Sequence, residues 1–315
     1  MPSLIRRRHR GRYAADPQLS ARMGLVVFLL GAVYLVAMAA LIAAGVNAVA
    51  VIVVAVGFGA VQYFASDAAT LYGMNARIVT PAEAPELHGL VDRICALADL
   101  PKPRVAVADT DSPNAFAVGR SPSRATICAT TGIMRRLSPE ELEGVLAHEL
   151  AHVAHRDVAV MTVASFLGVL AGLITRFALY SGLMGGFGGG RGNDNDEDDN
   201  GAVMFLVVLA VSALVYALSF VLIRALSRYR ELAADRGAAL MTGRPSTLAS
   251  ALTKISGELA KIPTRDLRGA EPFNAFFFAP AIASGASLAS LFSTHPSLER
   301  RLAQLAEISG QLGSA

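Results

Sequence analysis

The chain has 315 residues, of which 53% are hydrophobic and only 17% carry a charge. Soluble domains carry about 25% charged residues, so this composition indicates a membrane protein. The formal net charge is only +3, and its uneven placement along the chain tells more than the sum. Two cysteines, Cys95 and Cys128, give no disulfide framework and are predicted to be small buried hydrophobes.

Residues 1–22 predict a basic cytoplasmic tail. Against one acidic residue, Asp16, this segment carries the arginines Arg6, Arg7, Arg8, Arg10, Arg12 and Arg22. Positive charge before a first span keeps the N-terminus in the cytoplasm. We therefore interpret these arginines as topology determinants that contact lipid headgroups, and not as a nucleic-acid site.

Residues 23–65 predict a transmembrane hairpin of two spans. Residues 23–44 carry no charge and are numerous enough to cross a bilayer, and residues 48–65 form a second apolar run. The many valines are no obstacle, because lipid forces a single span to be helical. A secretory signal peptide is the alternative, but the first run is too long for one and a second follows at once.

Residues 66–157 predict a cytoplasmic region of mixed structure. Residues 82–99 have the apolar spacing of an amphipathic helix. Three short runs with strand character follow, separated by turns that contain Ser-Pro, and they are Arg104–Ala108, Ala115–Val118 and Thr126–Ala129. We expect them to form a small antiparallel sheet before the next helix.

That next helix carries the most informative motif of the chain. Ser138-Pro139-Glu140-Glu141 predicts a helix start with a capping box. His148 and His152 then share one helical face and can bind one metal ion, while Glu149 can reach a water on it. This H-E-x-x-H arrangement is typical of zinc peptidases. The alternative is two satisfied histidines on an ordinary amphipathic helix.

Residues 158–223 predict a second transmembrane hairpin with spans at 158–180 and 202–223. The alternative is a hydrophobic hairpin inside a soluble domain. The intervening loop, residues 181–201, is rich in glycine and acidic residues, which suits a solvated extracytoplasmic linker. A calcium site is disfavoured because the loop lacks a glutamate at position 12 and a following helix.

Residues 224–315 predict the second cytoplasmic part. Two spans separate His152 from Glu231, so both return to the same side of the membrane. A catalytic zinc keeps three protein ligands and one open position, and Glu231 is placed to be the third ligand. Asp235, one turn later, can accept a hydrogen bond from the second nitrogen of a ligating histidine. The alternative for this charge cluster is a cytoplasmic membrane anchor.

Together these residues carry a family resemblance. His148-Glu149-x-x-His152 followed by Glu231-x-x-x-Asp235, each beside an apolar segment, closely resembles the M48 peptidases of the HtpX-type membrane heat-shock class. The resemblance implies an α+β integral membrane protein, in which a mostly helical, gluzincin-like zinc peptidase domain with a small antiparallel sheet is attached to about four transmembrane helices. The CAAX-processing branch has more spans, which this chain lacks.

The resemblance also implies an activity and a place. It implies a zinc metalloendopeptidase with one Zn²⁺ per chain, facing the cytoplasm from the inner membrane of a prokaryote. Its substrates would be unfolded or membrane-embedded proteins, cleaved in quality control under stress. HtpX-like proteins place a longer polar run after the motif, and we interpret His155-Arg156-Asp157 as a harmless variant of it.

Further site residues follow from the resemblance. Glu149 would be the general base, and His295, before a helix that begins near Pro296 and contains Glu299, Arg300 and Arg301, would be a donor to the oxyanion. In such peptidases an edge strand holds the substrate as an added strand, and Asn114, Ala115 and Phe116 are the candidate edge. The alternatives are a structural histidine and a plain junction between turn and strand. The aromatic segment 273–278 fits core packing, membrane contact or a substrate flap.

Two other function classes remain to be weighed. A membrane adaptor or chaperone-like protein would hold a structural zinc, usually with four ligands that are often thiolates. Cys95 and Cys128 lie far from the motif in sequence, which disfavours this class. A transporter would need ionisable residues at mid-depth, whereas the four apolar runs contain only Arg176, near a span end. Cleavage preference and oligomeric state stay open.

Overall fold

The structure is a computed structural model, and it describes residues 17–43, 48–119, 121–157, 198–261 and 295–313. The chain divides into two compact units. One comprises Met1–Ser20, Asp67–Ala159 and Ser227–Ala315, and the other comprises Ala21–Ser66 and Val160–Leu226. The predicted span 158–180, residues 181–197 of the acidic loop and the aromatic segment 273–278 lie outside the described residues.

Three long apolar helices coincide with predicted spans. They are α1 (Pro17–Ala43), α2 (Ala48–Gly73) and α6 (Asp198–Thr242). Large apolar side chains of α1 face outward, with Phe28 70% exposed, which is typical of a surface that contacts lipid or a partner. By length and composition, Leu209–Thr242 is the one candidate span among the described residues, and Ala21–Val36 is a shorter apolar helix. The number of four spans therefore stays a prediction.

The first unit contains a four-stranded sheet in the order β1-β2-β4-β3. Its strands are β1 (Ala76–Ile78), β2 (Arg104–Ala108), β3 (Ala115–Val118) and β4 (Thr126–Thr130). The three strands predicted from sequence are confirmed, and β1 was not predicted. Its three residues are too few to show an alternating pattern.

The prediction of an antiparallel sheet is wrong, because the sheet is mixed. β1 pairs with β2 and β3 with β4 in antiparallel fashion, whereas β2 and β4 are parallel. The chain leaves β2, passes to the sheet edge as β3, and returns as β4 between them. Strand β4 lies between β2 and β3, and it is antiparallel to β3 but parallel to β2. The local sequence pattern does not determine this strand order.

The crossover from β2 to β3 is held by short contacts with the start of the next helix. Thr130 Oγ1 accepts a hydrogen bond from the backbone N–H of Asn114 at 2.9 Å and donates one to the carbonyl of Ser112 at 2.8 Å. A Cβ at position 132 would lie 2.2 Å from the Asp111 carbonyl oxygen, so only Gly132 permits this approach. These contacts fix β3 at the edge of the sheet.

Five further helices complete the described part of the first unit. They are α3 (Pro85–Ala98), α4 (Thr131–Arg136), α5 (Pro139–His155), α7 (Pro245–Lys261) and α8 (Leu298–Gly313). The core lies between the sheet and these helices and buries residues such as Val91, Ile94, Leu146, Leu150 and Leu248. Cys95 and Cys128 are buried, as predicted.

Helix α5 begins where the sequence predicted. Ser138 Oγ accepts from the backbone N–H of Glu141 at 3.3 Å, and the Glu141 carboxylate accepts from the backbone N–H of Ser138 at 2.9 Å. Proline at the first helical position lacks the N–H that a helix start would leave unpaired. The capping box thus fixes where α5 begins, and with it the helical positions of the H-E-x-x-H residues.

Replacing the cap tests this helix start. Ser138→Ala is expected to lower the free energy of unfolding by about 0.5–2 kcal/mol, because the N–H of Glu141 loses its acceptor. Thermal and denaturant unfolding of the purified protein measure the change. Ser138→Asn retains a capping acceptor and should remain near the wild type; equal losses in both variants would argue against a capping role.

Candidate metal centre

Three buried donors converge from two helices of the first unit. The one-turn spacing on α5 brings His148 Nε2 to 3.2 Å from His152 Nε2. Glu231, on α6, places Oε2 3.5 Å from His148 Nε2 and Oε1 3.5 Å from His152 Nε2. Their ligand atoms lie within 4.8 Å of one another. These are the three residues that the sequence predicted as metal ligands.

The donor set fits a zinc ion. Zinc binds imidazole nitrogen and carboxylate oxygen at about 2.0–2.2 Å in tetrahedral geometry, so its ligand atoms lie roughly 3.3–3.6 Å apart. The distances of 3.2 to 3.5 Å agree with this spacing. In addition, Oε2 of Glu231 is buried, and it lies 3.2 Å from Nδ1 of His295 and 3.9 Å from Nη1 of Arg301.

Asp235 lies behind His148, where the sequence predicted it. Its Oδ1 is 2.9 Å from His148 Nδ1. A buried arginine that the sequence analysis did not single out, Arg301 on α8, binds both carboxylate oxygens of Asp235 at 2.7 and 2.6 Å. Only 2% of Arg301 is exposed. The bidentate pair therefore neutralises Asp235 in an apolar setting and holds it against the imidazole.

Asp157 occupies the equivalent position behind His152. Its Oδ2 is 2.8 Å from His152 Nδ1 and 3.2 Å from Nε of Arg230. The interpretation of residues 155–157 as a mere variant run is incomplete, because Asp157 is fully buried at the site. Arg156 ends α5 in a left-handed conformation with φ 59°, and this reversal of the chain is what directs Asp157 back toward the ligand.

Burial and these carboxylates set the proton affinity of the histidines. Burial alone would lower the pKa of His148, but hydrogen bonds to Asp235 and Glu231 outweigh it and raise the pKa to about 9. For His152, burial dominates over the hydrogen bond to Asp157, and the pKa is lowered. A metal binds only neutral imidazole, so we expect zinc to displace a proton from the metal-free site.

Glu149 and His295 are also buried at this site. Burial raises the pKa of Glu149 to about 7, although the charge of His148 opposes the shift. His295 Nδ1 lies 3.2 Å from Glu231 Oε2, so its described contact is with the ligand carboxylate. Its predicted oxyanion role stays a prediction. The segment Asn114–Phe116 is buried, and β3 is the edge strand that packs against α5.

Close helix packing brings the ligand-bearing helices together. A Cβ at Gly237, two residues beyond Asp235, would lie 2.9 Å from the Cβ of Ala151, the neighbour of His152. Real Cβ atoms do not approach so closely. Glycine at position 237 is therefore required for the present separation of α5 and α6.

Gly237→Ala is expected to destabilise the protein by about 1–3 kcal/mol, because overpacking forces the two helices apart. Zinc affinity should fall with it. Gly257→Ala is the matched control, since a Cβ added at this position on α7 would meet no atom within 4 Å, and it should stabilise by about 0.5–1 kcal/mol. Denaturant unfolding of both variants measures the opposite changes in stability, and zinc titration measures the affinity. If Gly237→Ala left the free energy of unfolding unchanged, the packing argument would be refuted.

Residues 81–309 match the family model described as peptidase family M48. This chain belongs to that family. It is 60% identical to "Protease HtpX homolog 1" of Streptomyces coelicolor over 96% of this chain and 97% of the relative. It is 55% identical to "Protease HtpX homolog" of Moorella thermoacetica over 96% of this chain and 98% of the relative.

The fold resembles that of a solved structure. It is the crystal structure of S. mikatae Ste24p. The alignment covers 92% of this chain and 67% of the Ste24p chain, with a TM-score of 0.52 and 19% sequence identity. The family match and the HtpX relatives together show an HtpX-type membrane metalloprotease, and this family implies a metal ion, generally zinc. The convergent group of His148, His152 and Glu231 is the place in the described residues that can hold it.

Proposed function

We propose that this M48 peptidase holds one zinc ion through His148, His152 and Glu231 and hydrolyses internal peptide bonds of proteins. The observation that carries the proposal is the convergence of three buried donors beside Glu149. Three donors leave a tetrahedral ion one open position, as catalysis requires, whereas a structural site is closed by four. A non-catalytic adaptor with structural zinc is correspondingly disfavoured.

In the proposed mechanism Glu149 moves the protons. Zinc, when bound, supplies Lewis acidity to the scissile carbonyl and to the attacking water. Glu149 accepts the proton of that water and later delivers it to the leaving amine. In the metal-free site burial raises the pKa of Glu149 to about 7, and a group that exchanges protons near neutral pH is best served by a pKa in this range. His295 is the proposed donor to the developing oxyanion.

Asp235 has a supporting part in this proposal. Its hydrogen bond at 2.9 Å assigns the proton of His148 to Nδ1 and leaves the Nε2 lone pair for the metal. The Arg301 pair keeps Asp235 ionised for that purpose. His148 is thereby oriented before the ion arrives.

The substrate is proposed to add to the sheet at β3. On its outer side β3 pairs with no described strand, so an extended peptide has backbone groups to meet there. Asn114, Ala115 and Phe116 would form that contact, and β3 packs against the α5 helix that carries Glu149. Unfolded or membrane-embedded proteins offer such extended segments, which supports a part in quality control.

We further propose the predicted membrane arrangement. Spans at 23–65 and 158–223 would place residues 66–157 and 224–315 on the cytoplasmic face of a prokaryotic inner membrane. The basic tail of residues 1–22 and the apolar helix Leu209–Thr242 support this arrangement.

Metal removal tests the proposal. We expect a strong chelator to abolish cleavage of an unfolded protein by the purified enzyme, and one equivalent of zinc to restore it. Glu231→Gln should lose both zinc and cleavage, while Glu86→Gln, at an exposed position on α3, should retain both. Cleavage that survives complete removal of metal would overturn the proposed function.

A further inference from the structure

Each of the two histidine ligands contacts a buried aspartate that is paired with an arginine, and Arg301 is buried whereas Arg230 is partly exposed. Asp235 contacts His148 and pairs with Arg301. Asp157 contacts His152 and pairs with Arg230. The second pair is not part of the H-E-x-x-H and Glu231 motifs. It consists of the contact of 2.8 Å between His152 Nδ1 and Asp157 Oδ2 and of one ion pair of 3.2 Å between Asp157 Oδ2 and Arg230 Nε.

Arg230 is a cationic partner of the buried Asp157 carboxylate. The carboxylate is fully buried, and its Oδ1 has no hydrogen-bond partner among the described residues. Removing one partner of a buried ion pair leaves the other charge uncompensated. Arg230 Nε lies 3.2 Å from Oδ2, so its guanidinium places a positive charge beside the buried carboxylate.

The position of Arg230 adds a second consequence. Arg230 directly precedes Glu231 on α6, whereas Asp157 directly follows the left-handed end of α5. The pair therefore joins the end of the helix that carries His152 to the turn that carries the third ligand. The ion pair between Asp157 and Arg230 therefore affects the placement of two of the three metal ligands, His152 and Glu231.

We propose that Arg230 is a positioning residue of the metal centre. Through Asp157 it holds the proton of His152 on Nδ1 and keeps the end of α5 in register with the Glu231 turn, so zinc affinity depends on it. The inference rests on the proposed zinc site. Arg230 itself does not touch the metal or the substrate in this account.

The test measures metal binding by the full-length protein in detergent, not activity. Zinc affinity is measured by competition with a chromophoric chelator, and Co²⁺ replaces zinc to report ligand geometry through its visible absorption. Arg230→Gln should weaken zinc binding by a factor of up to about 10–100, the loss expected when the direct partner of a ligating histidine is removed. Arg236→Gln, at an exposed position on the same helix, should leave affinity and spectrum unchanged.

A second set of variants separates positioning from general stability. Arg230→Lys keeps a charge and should recover part of the affinity, even if Arg230→Gln folds poorly. Asp157→Asn should weaken zinc to a similar degree, and the double variant Asp157→Asn with Arg230→Gln should be no weaker than the worse single variant. Wild-type affinity in both Arg230 variants, with Asp157→Asn impaired, would overturn the inference. Failure of the wild type to bind zinc would instead overturn the proposed function.

Discussion

Glu149→Gln is expected to lower kcat/KM for an unfolded protein substrate by about 10²–10⁴-fold while zinc stays bound, because general acid–base catalysis contributes a factor of this size. Glutamine has nearly the same shape but cannot accept the proton of the attacking water. Glu149 is not among the three convergent donors, so its replacement should leave the metal in place. Single-turnover cleavage and zinc content, measured on the same preparation, check the expected loss of activity and the expected retention of the metal.

The control for this variant lies on the same helix. Glu140→Gln, at an exposed position in the first turn of α5, should retain wild-type cleavage and zinc content. If Glu149→Gln loses its zinc, or cleaves at the wild-type rate, Glu149 is not the base and the mechanism fails at its central proton transfer.

Arg301→Met is expected to have the largest effect on stability. It would lower the free energy of unfolding by about 3–5 kcal/mol, because Asp235 would keep a buried charge without its partner. Arg301 is 2% exposed and pairs with both carboxylate oxygens of Asp235. Denaturant unfolding of the metal-free protein measures the loss, and zinc titration should show weaker binding at the same time.

The neighbouring arginine provides a matched control for the buried one. Arg300→Met alters an exposed side chain on the same helix, and surface changes of this kind usually stay within about 0.5 kcal/mol. A further variant, Arg301→Met with Asp235→Leu, removes both charges and should recover much of the stability lost by the single change. Zinc binding should not recover. Similar small losses in Arg300→Met and Arg301→Met would show that the buried pair contributes little.

Local chemistry explains why much of this site is predictable from sequence. Helical periodicity places His148 and His152 on one face, and the capping box at Ser138 marks where α5 begins. The two apolar runs between His152 and Glu231 indicated that Glu231 returns to the same region as the motif. Oε1 of Glu231 lies 3.5 Å from His152 Nε2. The sequence therefore located the third donor correctly, although it is far from the motif along the chain.

The missed residues depend on packing that no local pattern encodes. Arg301 lies in Glu299-Arg300-Arg301, which has the composition of a solvated helix face, yet it pairs with Asp235 in the core. Asp157 reaches His152 because Arg156 adopts a left-handed conformation that few non-glycine residues adopt. The parallel pairing of β2 with β4 likewise depends on which strand enters the middle of the sheet, and short apolar runs do not specify that order.

The most direct test of the central claim is a crystal structure of the zinc-loaded protein with the metal located by its anomalous signal. The account predicts one ion bonded to Nε2 of His148, Nε2 of His152 and a carboxylate oxygen of Glu231, with no fourth protein donor. A zinc ion held by four protein side chains, or a Glu231 carboxylate directed away from both imidazoles, would contradict it.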